Sequence, residues 1–232
     1  MKDAIDSVPG RRNPLVPAEG PHAQAAHGGL ARSLLFVPGD RPERFDKAAA
    51  AGAHAVILDL EDAVAPAAKA QAREAVAGWL AAGGQGMVRI NAADTPWHAD
   101  DVRMLAALPA ASVMLPKADV ASLGSTTAAL AGRQTIALLE TVAGYMQLRE
   151  LAAMPGLHRI AFGSVDFSTE SGIVDEGEAL TAVRTQIVLA SCHAGLAPPI
   201  DGVGVEFKDE QRMQADALRS RQLGFGGKLC IH

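Results

Sequence analysis

Two carboxylates sit where apolar runs end. Leu138-Leu139-Glu140-Thr141 closes one run, and Phe162-Gly163-Ser164-Val165-Asp166-Phe167 closes another. No cysteine or histidine accompanies either acid, so the pair offers oxygen donors only. That donor type suits Mg²⁺ or Mn²⁺ rather than Zn²⁺. Mg²⁺ accepts one or two carboxylates and keeps positions open for water and substrate oxygens. Pairing of each acid with an arginine such as Arg89 is the competing reading. A third acidic group follows the run Ala55–Leu58, as Asp59-Leu60-Glu61-Asp62. Side chains alternate faces along a strand, so Asp59 and Glu61 share a face and Leu60 points the other way. Glu61 and Asp62 are equally suited to the positive N-terminal end of a following helix.

The cations are placed as tellingly. Arg89, in Val88-Arg89-Ile90-Asn91, interrupts an apolar strand and needs an anionic partner. Its fork matches a substrate carboxylate or an enolate. An ion pair with Asp59 or Glu61 is the other reading, and the two are compatible. Arg41, Arg44 and Lys47 follow the first apolar run, at a helix start marked by Pro42. Cations there do not serve the helix dipole. They suit either a phosphorylated group such as a coenzyme A tail or a solvated face. Lys117 and Lys228 are formal candidates for a Schiff base, which requires desolvation to lower the amine pKa; ion pairing with the neighbouring acids competes with that role. The seven histidines show no H-x-H or H-E-x-x-H spacing.

The elements that must position these residues repeat regularly. Short apolar runs at Ser33–Val37, Ala55–Leu58, Met87–Ile90, Ser112–Leu115, Thr135–Leu139, Arg159–Phe162, Pro199–Val203 and Gly226–Ile231 predict eight strands. Amphipathic stretches at Pro42–Ala51, Ala67–Ala81, Ala99–Leu108, Val120–Leu130, Ala143–Met154, Ala179–Ala194 and Asp209–Leu223 predict the helices between them. Strand–helix alternation of this kind predicts an α/β fold with a parallel sheet, and eight repeats predict a closed (β/α)₈ TIM barrel over residues 32–232. A doubly wound open sheet would be expected to carry G-x-G-x-x-G or a P-loop after its first strand; here that strand runs into Val37-Pro38-Gly39-Asp40-Arg41. Charged residues gather after the runs, where a barrel places its active-site rim. The sequence ends at His232, directly after the eighth run. The final outer helix is therefore expected from the leader, from a neighbouring subunit or from residues beyond those given. Residues 1–31, rich in Gly, Pro, Ala and His, predict a flexible leader.

The net charge of −5 argues against nucleic acid and anionic membranes as partners. No apolar run is long enough to cross a bilayer, and no signal-peptide core opens the chain. Cys192 and Cys230 form no C-x-x-C pair, which suits a reducing cytoplasm. An apolar-rich barrel short of its last helix is expected to self-associate.

The chain resembles the citrate lyase beta-subunit branch of the HpcH/HpaI aldolase superfamily. The resemblance rests on Arg32-Ser33-Leu34-Leu35-Phe36-Val37-Pro38-Gly39, Leu58-Asp59-Leu60-Glu61-Asp62-Ala63-Val64, Val88–Asn91, Leu115-Pro116-Lys117, Leu139-Glu140-Thr141, Phe162–Phe167 and Lys228-Leu229-Cys230-Ile231-His232. It implies a (β/α)₈ barrel with Mg²⁺ at Glu140 and Asp166, and Arg89 on a substrate carboxylate or thioester oxygen. It also implies acyl-CoA thioesters of the citryl, malyl or citramalyl kind as substrates, the Arg41 region as a site for phosphate, and trimers or hexamers. Arg89, Glu140, Arg41 and Lys47 are accordingly the expected substrate contacts. The expected reaction is carbon–carbon cleavage into a keto acid and an acyl-CoA, with Asp59 or Glu61 as base and Arg89 stabilising the developing charge. The alternatives are a metal-dependent aldolase on free keto acids and a lyase subunit that needs a partner. Two features depart from the family. Many relatives carry a C-terminal segment that reaches over the site with a catalytic acid, and Thr169–Ile173 is compressed.

Overall fold

The computed structural model describes residues 31–108, 111–206 and 208–232. The expected leader, apart from Ala31, lies outside them. Eight strands are present: β1 (Ser33–Pro38), β2 (Ala55–Asp59), β3 (Met87–Arg89), β4 (Ser112–Leu115), β5 (Thr135–Leu139), β6 (Leu157–Phe162), β7 (Ile200–Asp201) and β8 (Gly227–Cys230). They close a parallel barrel in sequence order. β3, β4 and β5 are buried along their whole length, and their Val, Met, Ile and Leu content fits strands covered on both faces.

Alternation along the strands produces two cores. Leu34, Ile57, Met87, Met114, Ile136, Leu138, Ala161 and Leu229 fill the barrel. Val56, Leu58, Val88, Val113, Leu115, Leu139 and Phe162 face the helical layer. The same parity carries Asp59 and Arg89 inward behind Ile57 and Met87, and Glu140 inward behind Leu138. Register does the rest. Asp59 lies opposite Arg89, and Leu139 lies opposite Phe162, so Glu140 meets Gly163.

The outer layer comprises α1 (Phe45–Ala49), α2 (Lys69–Ala81), α3 (His98–Ala106), α4 (Val120–Ala129), α5 (Val142–Met146), α6 (Leu148–Ala152), α7 (Ser164–Ser171), α8 (Thr181–His193) and α9 (Glu210–Gln222). Two differences from the sequence reading stand out. The single helix expected over Ala143–Met154 is two short ones meeting at Gln147. A further helix, α7, fills the stretch directly after β6.

At the floor of the barrel, buried Arg159 donates to the Ala31 carbonyl at 2.7 Å and to the Pro198 carbonyl. Ala31, assigned by composition to the leader, is 1% exposed and belongs to the folded body. No helix among the described residues is long and apolar enough to cross a membrane.

Candidate active site

Arg89 organises the acids after β2. Its Nε and Nη2 donate to the two oxygens of Asp59 at 2.8 and 2.6 Å. Its Nη1 lies 3.1 Å from Glu61 and 3.3 Å from Asp62. The guanidinium rests on the Phe36 ring, 4.7 Å from its centroid. Burial opposes the charge, but the bonds to Asp59 and the surrounding acids outweigh it and hold the pKa above its ordinary value. Asp59 also accepts from the backbone of Glu61 and Ala63. Its acceptor positions are thus occupied, which lets it orient Arg89. Glu61 is held between Arg89 and Lys117 Nζ. Its burial raises its pKa, against the pull of those two cations.

Glu140 has a different setting. It is 3% exposed, its Oε1 accepts from the Lys117 backbone at 2.8 Å, and it makes no ion pair among the described residues. Burial, then the charge of Glu61 and more weakly that of Asp166, push its carboxyl up to about 8. Two neighbours are shaped to this carboxylate. Lys117 adopts a left-handed φ of 47°, unusual for a side-chain-bearing residue, and so directs its N–H at Glu140 while Nζ reaches Glu61. Gly163 leaves room for Glu140, since a Cβ at that position would lie 2.4 Å from the Glu140 Cβ. Gly163 also precedes α7, whose first turn carries Asp166. Asp166 is half-buried and likewise forms no ion pair among the described residues.

Two neighbouring carboxyl groups, one buried and neither in an ion pair among the described residues, match the protein share of an Mg²⁺ site. No third His, Cys, Asp or Glu joins such a cluster among the described residues. Water and substrate oxygens would complete the coordination, as that ion accepts.

These groups border a cavity of about 460 Å³ at the C-terminal end of the strands. Of the residues singled out in the sequence, Asp59, Arg89, Glu140 and Asp166 line it. Glu61 lies behind the lining. Arg41 and Lys47 are exposed and outside it, with Arg41 3.9 Å from Asp40. Glu61 holds the Lys117 amine pKa above its ordinary value, against burial, and Lys228 is bound to Asp216 at 2.6 Å, so both lysines are engaged in the ion pairing that competes with a Schiff base. Asp62 does line the cavity, and its side chain is 55% exposed. The alternative of a helix cap does not hold, because the chain continues through a turn to Pro66 before the next helical residue. Side-chain alternation missed Asp62 because β2 ends at Asp59.

A family model for HpcH/HpaI aldolase/citrate lyase matches residues 32–232. A citrate lyase subunit beta-like protein of Mycobacterium tuberculosis is 38% identical over 205 residues, spanning 85% of this chain and 73% of that protein. An L-malyl-CoA/beta-methylmalyl-CoA lyase of Cereibacter sphaeroides is 34% identical over 238 residues, with 87% and 75% covered. A solved Mycobacterium tuberculosis structure in complex with magnesium, acetoacetate and coenzyme A superposes with a TM-score of 0.75 at 35% identity, covering 90% of this chain and 78% of that one. With its closed eight-strand barrel and carboxylate-lined mouth, the chain belongs to the HpcH/HpaI aldolase/citrate lyase family.

Proposed function

We propose that this protein is an Mg²⁺-dependent carbon–carbon lyase that cleaves a hydroxyacyl-CoA thioester into a keto acid and an acyl-CoA. Glu140 carries this proposal: a buried carboxyl that forms no ion pair among the described residues and lines one cavity with Asp166 and Arg89. The relatives named as lyases and the related structure holding magnesium and coenzyme A support it.

Glu140 and Asp166 hold the ion, with Glu140 fixed by the Lys117 N–H and by the space that Gly163 leaves. Mg²⁺ bound there would supply Lewis-acid polarisation of substrate oxygens. Asp62, open to the cavity, takes the hydroxyl proton directly or through water. The bond between the carbinol carbon and the carbon next to the thioester breaks. The hydroxyl carbon becomes the carbonyl of the keto acid, and the electron pair passes into the thioester as an enolate. Arg89, held in advance by Asp59 and Glu61, faces that charge without having to reorganise. Reprotonation of the enolate carbon gives the acyl thioester.

Arg41 and Lys47, exposed in the stretch after β1 and outside the cavity lining, would meet the phosphates of coenzyme A. The setting is a cytoplasmic homo-oligomer, a trimer or hexamer; free Cys192 and Cys230 accord with a reducing compartment. The test is Glu140→Gln and Asp166→Asn in an Mg²⁺-supplemented cleavage assay. Each variant should lose at least about a hundredfold in rate while keeping its circular dichroism. Full activity in either one contradicts the proposal.

A further inference from the structure

The cavity has two unlike faces. Strands β7, β8 and β1 are consecutive around the barrel, and this side contributes Val203, Leu229, Ile231 and Phe36. Every charged lining group comes from the other side: Asp59, Asp62, Arg89, Glu140 and Asp166. The charges at the ends of β7 and β8 are turned away behind the apolar wall. Asp201, 0% exposed, accepts from Arg184 Nε at 2.9 Å. Lys228 donates to the Gly202 carbonyl at 2.7 Å and pairs with Asp216 at 2.6 Å. Arg89 is thus the one cation lining the cavity among the described residues, and three acids already surround it.

On the lyase reading above, we infer that the site selects hydroxyacyl units with a single free carboxylate, and that the Val203–Leu229–Ile231 wall excludes units with a second one. The hydroxyl and carboxylate of the substrate belong on the charged face. The remaining substituent of the carbinol carbon then meets the wall. Hydrogen or a small alkyl group is accepted there, as in malyl or citramalyl units, and an alkyl group gains from burial. A second carboxylate, as in a citryl unit, would lose its hydration against a wall that carries no cation among the described residues.

Calorimetric binding of keto acids to the Mg²⁺-loaded full chain tests this without requiring turnover. Pyruvate and 2-oxobutyrate should bind at least about tenfold more tightly than oxaloacetate and 2-oxoglutarate, a margin within reach of such a wall. Ile231→Arg, at the 48%-exposed edge of the wall, should shrink the margin by tightening the dicarboxylates. Equal or tighter dicarboxylate binding, no keto-acid binding at all, or an unchanged margin in Ile231→Arg would overturn the inference. Selective binding with no thioester cleaved would instead remove the lyase reading and leave the selectivity standing. Citryl-CoA cleaved as fast as malyl-CoA and citramalyl-CoA would remove the selectivity and leave the lyase.

Discussion

Glu140 concentrates the chemistry of the site in one titration. Without metal, its folded carboxyl holds a proton up to about 8, against an ordinary value of 4.5. The folded chain therefore binds that proton more tightly than the unfolded chain. The stability this contributes is complete below the ordinary value and is lost as pH rises through about 8. Metal-free Tm should fall across that window, and Glu140→Gln should flatten the fall. Because Mg²⁺ must displace the proton, its Kd should tighten by up to about tenfold per pH unit below the carboxyl pKa and level off above it; titrations at several pH values check this. Asp62→Asn should lower kcat by about 10² to 10⁴ with little change in Mg²⁺ affinity, as measured by turnover and calorimetry side by side. Glu140, Asp166 and Arg89 could be picked out from the sequence because each breaks an apolar run. Asp62 could not, because its position follows from the turn after β2 and not from strand parity.

Among the elements, the strands were the most legible. Their apolar runs mark both faces as buried, and observed ends differ from expected ones by at most a few residues. Helix α7 was not legible. Ser164–Ser171 is rich in Ser and Thr and carries Val165 near its start, residues with weak helix propensity. What fixes it is tertiary: Gly163 must pass Glu140 closely, and Phe167 packs on Phe162 with ring centroids 5.5 Å apart. The break at Gln147 is likewise not visible in the periodicity of Ala143–Met154. Gly163→Ala tests the close approach. Its methyl group would press on the Glu140 side chain, which should cost about 1–3 kcal/mol of stability and displace a metal ligand. Thermal unfolding and Mg²⁺ titration should therefore both shift; a change in Tm with unaltered Mg²⁺ affinity would separate packing from the site.

Across the whole molecule, charge is distributed by what the barrel can neutralise. Acids after β2, β5 and β6 face the cavity around Arg89. On the β7–β8 side, buried Arg184 takes Asp175 through both terminal nitrogens at 2.7 and 2.8 Å and Asp201 through Nε. Its guanidinium also lies over Phe162, 5.2 Å from the ring centroid. The sequence shows charges after nearly every strand, but it does not show which of them turn inward. Only the ion network behind the apolar wall reveals that. Arg184→Met takes the nearest cation from buried Asp201, leaving it Ser220 and, at 3.7 Å, Lys228, and should cost about 3–5 kcal/mol, seen as a lowered midpoint in urea unfolding at constant m-value.

Metal-dependent cleavage at Glu140 and Asp166 is what the proposed chemistry stands on. Its most direct test is to strip the protein with a chelator, restore Mg²⁺, and follow keto-acid release from malyl-CoA, citramalyl-CoA and citryl-CoA. Stripped protein should release none, at least one thioester should be cleaved when Mg²⁺ returns, and Glu140→Gln should release none under the same conditions. Cleavage that persists without metal, or in Glu140→Gln with metal present, would contradict it.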